Sequence, residues 1–391
     1  MNTGDDFARF GILPNKRMSG AVELQMRCWV QILRLFRSEL TTRTRLPLGT
    51  RFRAWRAGFS SRSWLMYQLE KNDPELYLPD LLMAARFYKV NGFFNSPMNN
   101  KLLLSRLLTA HGVPHPAVVS LVVEGRLIED ARPFDADIGR ALTRTLAHCP
   151  RQVFRPTWSG SGQGVFFLSR ESEGLFLNGK PVNLQQACAL LSRLDRYVAT
   201  EHVQQADYAR EIFAHSTNTM RVLTVWDAES GDTLAVAVTH RFGTSRSAPI
   251  DNWHQGRGGV CAAVDPERGT LGKALRLSAD HELVWESMHP ETGATIEGVV
   301  IPGFDKCLEG VKQAAGFFPY CPCVGWDVVI TNDGWRIIEA NPIPGLTIVR
   351  AHTPMLKDPH VRRVFERWGL APRRRDRNQR PPGLADSTPA S

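Results

Sequence analysis

The feature that most constrains the fold is the stretch at residues 325–345, GWDVVITNDGWRIIEANPIPG. Two runs rich in β-branched and aromatic residues flank the turn-forming residues 332–334, which predicts a β-hairpin. A three-residue loop centred on Asp333 places Asp327 opposite Glu339, because both lie six residues from that centre. Opposed residues in an antiparallel pair share one face, with Cβ atoms roughly 4.5–5.5 Å apart.

Two carboxylates on one strand face repel each other, and a divalent cation turns that repulsion into coordination. The same loop pairs Thr331 with Trp335 and puts Asn341 on the face of Asp327 and Glu339. Two carboxylates and an amide are hard oxygen ligands that suit Mg²⁺, which also binds waters and substrate phosphates. A two-residue Asp-Gly loop would place the carboxylates on opposite faces, and an exposed hairpin end with solvated charges is the structural alternative.

Length and composition describe a globular chain. With 391 residues, 43% of them hydrophobic and 22% charged, it is expected to hold more than one domain. The seven cysteines are irregularly spaced and form no metal-binding pattern with histidine, so reduced thiols in the cytoplasm are the expectation. No stretch approaches the roughly 20 apolar residues that span a bilayer, and no signal-peptide core is present.

The net charge of +9 is concentrated in arginine clusters at residues 42–56 (TRTRLPLGTRFRAWR) and 373–380 (RRRDRNQR). The simplest interpretation is a solvated basic face and a disordered tail. The alternative is peripheral contact with an anionic membrane or a polyanionic substrate. Nucleic-acid binding is not expected, because no helix-turn-helix, zinc-finger or single-strand-binding signature accompanies the arginines. The sequence leaves the oligomeric state open.

Helices and strands mix along the chain without strict βαβ alternation, which predicts an α+β fold. The helix at residues 99–116 has an asparagine cap, a leucine face and a Gly/Pro end. Other helices are predicted at residues 137–149, 182–194 and 304–318. Strands are predicted within residues 117–128, 151–156, 164–170, 196–203, 219–227 and 233–243.

Two loops are candidates for binding anions. The first, TWSGSGQG at residues 157–164, joins two predicted strands, and its backbone N–H groups can cradle phosphate oxygens. It is neither a P-loop nor a dinucleotide fingerprint, because no helix follows it. The second, DNWHQGRGGV at residues 251–260, has three glycines around Arg257. A plain turn and a plain surface loop are the alternatives.

In chain order, a lone lysine opens a helix that ends Gly-Val-Pro-x-Pro, followed by a glycine-rich hairpin, a strand ending in a Glu-containing hinge and a strand carrying an arginine. Last come an aspartate and, twelve residues on, Glu-x-Asn. This order resembles the ATP-grasp superfamily, and most of all its sugar-transfer-associated branch. The resemblance extends from about residue 76 to residue 361. It implies two α+β subdomains that clasp ATP, preceded by a basic helical extension.

The resemblance also divides the chain into regions. It implies a basic helical region (residues 1–75), an N-terminal segment (76–112), a lid subdomain with the glycine-rich loop (113–203), a C-terminal subdomain with the metal site (204–365) and a disordered tail (366–391).

By the same resemblance, Asp327, Glu339 and Asn341 carry Mg²⁺ between them and the phosphates of ATP. Lys101 contacts phosphate and Arg221 lies near the γ-phosphate and the acyl intermediate, so both are candidate catalytic residues. The glycine-rich loop closes over the phosphates, the hinge at residues 201–203 meets adenine, and Asp207 is a candidate for the ribose. The predicted nucleotide-binding residues are Lys101, Arg155, Gly160, Ser161, Gly162, Gly164, Glu201, His202, Val203, Asp207 and Arg257.

One residue departs from the family pattern. The strand before the glycine-rich loop usually carries lysine, and this chain has Arg155. Arginine keeps the charge but replaces a compact ammonium with a rigid planar fork. The substitution is compatible with phosphate contact, with altered nucleotide geometry or with lost catalysis.

The resemblance implies an ATP-dependent carboxylate–amine ligase that works through an acyl-phosphate. Such chemistry depends on positioning and charge neutralisation more than on a protein nucleophile. The implied partners are a small-molecule carboxylate and an amine, with amino sugars and polysaccharide biosynthesis suggested by the family name alone. A phosphotransferase, and a nucleotide-binding protein without turnover at a membrane surface, are the alternatives.

Overall fold

The computed structural model describes residues 21–41, 46–130, 135–158, 160, 162–253, 258–277 and 283–372. Helices and antiparallel strands both contribute to this part of the chain. They confirm the predicted α+β class and the helical amino-terminal region. None of the helices in these ranges is long and apolar enough to cross a membrane.

Several helices begin where a side chain satisfies the backbone N–H groups of the first turn. Asn100, for example, accepts hydrogen bonds from the N–H groups of Leu102 and Leu103. In chain order the α-helices are α1 (Ala21–Thr41), α2 (Leu48–Arg56), α3 (Ser61–Met66), α4 (Asp80–Arg86), α5 (Asn95–Asn99), α6 (Lys101–Ala110), α7 (Ile138–His148), α8 (Leu184–Leu191), α9 (Asp207–Ile212), α10 (Phe304–Gly316), α11 (Thr347–His352) and α12 (Pro359–Arg367). Short 3₁₀ helices occupy Pro74–Leu76, Phe87–Lys89, Gly92–Phe94 and Met355–Lys357.

The first sheet contains β1 (Val118–Val123), β2 (Arg126–Glu129), β3 (Arg151–Pro156), β4 (Phe166–Glu171), β5 (Gly174–Leu177), β6 (Lys180–Val182) and β7 (Tyr197–Glu201). Neighbouring strands are antiparallel, in the spatial order β2-β1-β7-β3-β4-β5-β6. One face packs against α7 and α8, where Phe154 and Leu191 are fully buried. Because side chains alternate along a strand, Val153 and Arg155 are directed to the other face, which borders a cavity.

The second sheet contains β8 (Met220–Trp226), β9 (Thr233–Phe242), β10 (Val260–Val264), β11 (Leu271–Leu277), β12 (Leu283–Glu286), β13 (Cys323–Thr331) and β14 (Gly334–Asn341). It is antiparallel, in the order β12-β11-β10-β9-β8-β13-β14. Apolar residues cover both faces. Val222 and Trp326 pack on the side of α6 and α10. Leu223 and Val225 pack on the side of α11, α12 and the amino-terminal helices.

Residues 46–90 are part of this second packing layer. Trp64 belongs to the same hydrophobic core as Phe365 of α12. Arg350 of α11 forms a buried ion pair with Asp80, at 2.9 Å. The helical amino-terminal region is therefore packed directly on the second sheet.

At the other end of the chain, residues 366–372 lie within the described part although the sequence assigns them to the tail. They finish α12 and bury Leu370 completely. The remainder of the predicted tail lies outside the described residues, as do residues 1–20 and 42–45 of the basic region. The domain boundaries drawn from the sequence stay predictions.

The loop of the β13–β14 hairpin differs from the sequence-based expectation. It contains two residues, 332–333, and Thr331 pairs with Gly334. The predicted three-residue loop and the predicted Thr331–Trp335 pair are therefore wrong. The reason is local: Gly334 is the first residue of β14, at a φ of 150° that favours glycine, and it does not belong to the loop.

A β-bulge in β14 nevertheless restores the pairing that matters for the site. With the two-residue loop, a regular ladder would place Asp327 opposite Ile338. The ladder instead shifts by one residue between the Val328–Ile337 pair and the next, so that Asp327 pairs with Glu339. The predicted pairing of Asp327 with Glu339 is confirmed, although the loop length from which it was predicted is wrong.

Candidate active site

A cavity of about 970 Å³ lies between the two sheets. This volume is within the range of pockets that hold nucleotides and other small molecules. The cavity is lined by residues from both sheets, from the amino-terminal helices and from the segment after β14. The predicted site residues that line it are Lys101, Arg155, Gly160, Gly162, Glu201, His202, Val203, Arg221, Asp327, Glu339 and Asn341.

Four charged side chains form a row across the second sheet at this cavity. We call Arg241, Arg221, Asp327 and Glu339, on β9, β8, β13 and β14, the charge row. The ladder explains their alignment, because Arg221 pairs with Asp327, which in turn pairs with Glu339. Arg221 also pairs with Thr239, and Arg241 lies two residues beyond that partner, on the same face.

Asp327 is the centre of the charge row. Arg221 donates from Nη2 to its Oδ2 at 2.7 Å and from Nε to its Oδ1. Arg241 Nη2 lies 3.0 Å from the same Oδ2. Burial acts to raise the pKa of Asp327, but the two guanidinium groups outweigh it and hold the pKa below its ordinary value. Asp327 is therefore ionised and already balanced by positive charge.

Gly325 makes room for Arg221 beside this carboxylate. A Cβ at position 325 would lie 3.0 Å from Arg221 Cδ and 2.8 Å from Pro344 Cβ. Any larger residue would push the arginine or the segment after β14 away from the sheet. The glycine that opens the GWD motif therefore has a packing role in the site.

Arg241 is a site residue that the sequence analysis missed. Its Nε lies 3.4 Å from Asp251, which accepts a 2.7 Å hydrogen bond from the Thr219 N–H. Burial acts to lower the pKa of Arg241, but Asp251 and Asp327 together raise it, so the guanidinium stays charged. An arginine at the end of the apolar run TLAVAVTHRF was a signal that could have identified it.

Lys101 reaches the far end of the charge row from the first turn of α6. Its Nζ lies 3.3 Å from Glu339 Oε1, and its side chain is almost fully buried. Burial lowers the pKa of Lys101, and the nearby Glu339 carboxylate partly opposes this effect. The backbone N–H of Lys101 donates to the Thr157 carbonyl at the start of the glycine-rich loop. The lysine thus connects the loop to the charge row.

Arg155, the departure from the family pattern, joins the two sheets. Its Nη1 donates to the Ile338 carbonyl at 3.0 Å, and its Nη2 donates to Thr200 Oγ1 at 3.3 Å. The acceptor carbonyl belongs to the bulged residue of β14. Burial lowers the pKa of Arg155, with Glu339 acting in the opposite direction. The side chain borders the cavity from the first sheet and contacts the backbone of the second.

The predicted hinge lies at the end of β7. Residues 201–203 line the cavity, and Glu201 Oε1 accepts a hydrogen bond from the Ala117 N–H at 3.2 Å. His202 stacks edge-on against Phe167, and burial, aided by Arg151, lowers its pKa. A neutral imidazole and backbone groups are therefore available at this wall, which suits an uncharged aromatic ligand.

The structure does not bring every predicted residue to the cavity. Asp207 begins α9 and bonds with Asn332 in the hairpin loop beyond the end of β13, whereas the charge row crosses the middle of that strand at Asp327. Gly164 packs against Pro156 and Tyr197, while Gly160 and Gly162 line the cavity. The predicted residues Ser161 and Arg257 lie outside the described residues.

The amino-terminal region contributes cavity residues that sequence reasoning did not find. They are Arg27, Arg62, Tyr88, Asn95, Ser96 and Asn99. No local motif marks them, because their position depends on packing between segments far apart in sequence. Asn91 shows this dependence, since its side chain bonds to the Cys323 carbonyl at 2.7 Å and the Pro342 carbonyl at 2.6 Å.

The three predicted metal ligands lie next to one another. Asn341 Nδ2 is 3.4 Å from Asp327 Oδ2, and Glu339 lies beside both. In the described ranges, no group of three or more His, Cys, Asp or Glu side chains is placed to hold a metal. Two carboxylates and one amide oxygen nevertheless fit Mg²⁺, which prefers oxygen ligands and completes its shell with water and phosphate oxygens.

Two antiparallel sheets with helices packed on them enclose a charged cavity, and the fold is of the ATP-grasp type. A model of the family described as sugar-transfer associated ATP-grasp matches residues 86–358, and the chain belongs to this family. A comparison of the chain with curated proteins found no match.

Solved structures of ATP-grasp ligases are similar at low identity. PsnB, complexed with a phosphomimetic variant of minimal precursor, Mg and ADP, is 13% identical with a TM-score of 0.37; the alignment covers 74% of this chain and 65% of PsnB. D-alanyl-alanine synthetase A from Vibrio cholerae is 12% identical, with a TM-score of 0.39 and coverage of 67% and 60%. The D-alanine–D-alanine ligase from Bacillus anthracis complexed with ATP is 11% identical, with a TM-score of 0.35 and coverage of 72% and 70%. The chain thus spans less than two-thirds of the length of PsnB.

Proposed function

We propose that the protein is an ATP- and Mg²⁺-dependent carboxylate–amine ligase. The observation that carries this proposal is the pairing of Asp327 with Glu339 beside Lys101 and Arg221 at the cavity. Opposite charges held in one largely buried site are suited to phosphoryl transfer, which needs charge neutralisation and positioning. Membership of the ATP-grasp family supports the use of a nucleotide.

In the proposed reaction, a substrate carboxylate oxygen attacks the γ-phosphorus of ATP, and the bond to ADP breaks. The amine nitrogen of the second substrate then attacks the carbonyl carbon of the acyl-phosphate. Phosphate leaves, the nitrogen loses a proton, and an amide remains. Lys101 and Arg221 offset negative charge on the transferred group, and Arg241 keeps Arg221 and Asp327 in position.

Mg²⁺ bound by Asp327, Glu339 and Asn341 would supply further positive charge toward the β- and γ-phosphates. The glycine-rich loop, through Gly160 and Gly162, would cover the phosphates, and the hinge at residues 201–203 would hold adenine. Arg155 would face the nucleotide while it stays bonded to the second sheet.

The substrate class is the less defined part of the proposal. The family description associates its members with sugar transfer, so we propose that the amine acceptor is an amino sugar or an amino acid destined for a polysaccharide made in the cytoplasm. The arginines of the amino-terminal region that line the cavity, Arg27 and Arg62, suit an anionic carboxylate substrate.

The test is an ADP-release screen of the purified chain with Mg²⁺ and ATP over paired carboxylic acids and amines. A ligase releases ADP only when both substrates are present, and mass spectrometry detects a product joined by an amide. The Glu339→Gln variant is the matched control for background hydrolysis. The proposal fails if the pairs of carboxylic acid and amine that cause ADP release give no amide product.

The same assay separates the other two hypotheses. A phosphotransferase would leave phosphate on the acceptor and release no free phosphate. A non-catalytic nucleotide-binding protein would bind ATP tightly without ADP release for any pair. The replacement of lysine by Arg155 is the observation that favours this last outcome.

A further inference from the structure

Helix α1 packs on the protein by one face only. Cys28 is fully buried, and Leu24, Ile32 and Leu35 are partly buried on the same side of the helix. This face contacts α4 and the 3₁₀ turn at Phe87–Lys89. It accounts for the position of α1 on the molecule.

The opposite face of α1 is apolar and exposed. Its large side chains recur at spacings of four and three residues, which puts them in one line along the helix. We call this line the α1 stripe. It consists of Val22, Met26, Trp29, Leu33, Phe36 and Leu40, which are 57–85% exposed. An exposed apolar face of this kind is typical of a surface that binds a partner or a membrane.

Helix α2 repeats the pattern on a smaller scale. Ala54 is fully buried, whereas Leu48, Phe52 and Trp55 are 81%, 65% and 49% exposed. Their spacing of four and three residues again puts them on one side of the helix. Two consecutive helices therefore present large apolar side chains to solvent.

The charge around these apolar lines is mostly positive. Arg34 and Arg37 flank the α1 stripe, and Arg56 ends α2; none of the three forms an ion pair with another described residue. The segment at residues 42–56 contains five arginines and no acidic residue. The surface thus combines exposed Trp, Phe and Leu with arginine, the composition of helices that bind anionic lipid.

We propose that α1 and α2 dock on the surface of an anionic lipid bilayer, with the α1 stripe inserted among the lipid headgroups. A second copy of the chain is the less suitable occupant. A two-fold symmetric contact through the same surface would bring arginines of one copy near those of the other, whereas anionic lipid offers the opposite charge. The inference is independent of the proposed ligase activity.

The test is co-sedimentation of the full chain with vesicles of phosphatidylcholine alone or mixed with phosphatidylglycerol, without ATP. We expect binding to the anionic vesicles that weakens as salt is added. The double variant Leu33→Glu/Phe36→Glu should lower the bound fraction roughly tenfold or more, because charge replaces inserted apolar area. Both positions are exposed, so unchanged circular dichroism and unfolding midpoint are expected.

The matched control is Met288→Glu/Val300→Glu, at positions that are 55% and 60% exposed on a different segment. This variant should bind like the wild type. A second comparison, Arg34→Gln/Arg37→Gln, should weaken binding to the anionic vesicles selectively. The proposal is overturned if the wild type does not sediment with anionic vesicles, or if Leu33→Glu/Phe36→Glu binds as well as the control. A stable dimer that this variant dissociates, without vesicle binding, would assign the surface to a second copy instead.

Discussion

At the scale of single residues, the two carboxylates of the charge row differ in how their charges are balanced. Asp327 is 5% exposed and contacts two guanidinium groups. Glu339 is 23% exposed and contacts the single ammonium group of Lys101. A buried charge that loses its partner is costly, and Asp327 balances two buried guanidinium groups whereas Glu339 balances one buried ammonium, so removal of Asp327 should cost more stability. The two residues should therefore respond differently to the same kind of substitution.

Asp327→Asn should impair both stability and activity. It leaves Arg221 and Arg241 buried without their shared counter-charge, which should lower the free energy of unfolding by about 3 kcal/mol. Glu339→Gln leaves one buried ammonium without its carboxylate, so it should lower the free energy of unfolding by less than Asp327→Asn does and still lower ADP release roughly a hundredfold. Urea denaturation and the ADP assay measure the two quantities.

The control for this pair is Glu173→Gln, an exposed position in the turn between β4 and β5. It should change neither quantity. Equal stability of the Asp327→Asn and wild-type proteins would contradict the role of Asp327 as the common partner of two arginines. Full activity of Glu339→Gln would remove that residue from the proposed metal site.

Lys101→Met should raise the apparent KM for ATP by roughly tenfold or more, because it removes a charge-assisted contact to phosphate. The methionine fills a similar volume, so the fold should persist. Lys306→Met, an exposed position on α10, is the control and should leave KM unchanged. An unchanged KM in Lys101→Met, measured over a range of ATP concentrations, would place the lysine outside the nucleotide site.

At the scale of elements, α10 and the hairpin fit closely at one point. A Cβ on Gly310 of α10 would lie 2.2 Å from a ring atom of Trp335 in β14. Gly310→Ala should therefore destabilise the fold by about 1–3 kcal/mol, although alanine favours a helix. Gly316→Ala in the same helix is the control, since its Cβ would meet only Thr233 at 3.5 Å. Thermal unfolding of both variants checks the difference, and equal midpoints would contradict the close fit.

Most elements of the sheets were visible in the sequence because their signals are local. The helices that were predicted after residue 99 are present in the structure, and so are the predicted strands. The register of the hairpin was not visible in this way. The bulge lies in the edge strand β14, where Arg155 of the other sheet bonds to the Ile338 carbonyl, so residues 325–341 alone do not determine it.

At the scale of the whole molecule, a buried histidine should make stability depend on pH. His240 Nδ1 lies 3.1 Å from the Arg241 carbonyl, which can only accept, so Nδ1 carries the proton and Nε2 accepts from the Tyr208 hydroxyl at 2.8 Å. Burial lowers the pKa of His240 to about 3, from an ordinary value of 6.5. The unfolded chain therefore takes up a proton first as pH falls, and stability is lost from about pH 6.5 downward.

His240 should change the free energy of unfolding by at most about 1.4 kcal/mol per pH unit. Denaturant unfolding between pH 6.5 and pH 5 measures it above the range in which most carboxylates titrate. His240→Phe should be less stable at neutral pH, because Tyr208 loses its acceptor, but its stability should fall less steeply with pH. Parallel pH curves for the two proteins would contradict a neutral buried His240.

The amino-terminal region shows what the sequence could not convey at this scale. Its helical character was predictable, but its packing on the second sheet was not. That packing depends on contacts such as Arg350 with Asp80, between residues far apart in the chain. The cavity residues Arg27 and Arg62 were missed for the same reason. Long-range packing leaves no periodic trace in a single sequence.

The bulged residue has a consequence for how the two halves of the cleft are connected. If Ile338 were removed, Glu339 would take its place in the ladder. A regular ladder with the two-residue loop would then still pair Asp327 with Glu339. What the additional residue supplies is a carbonyl for Arg155, from the other sheet. Any separation of the cleft walls would have to break this bond in a buried setting. An irregularity in one strand thus adds a hydrogen bond between the two sheets, next to the connection that Lys101 makes.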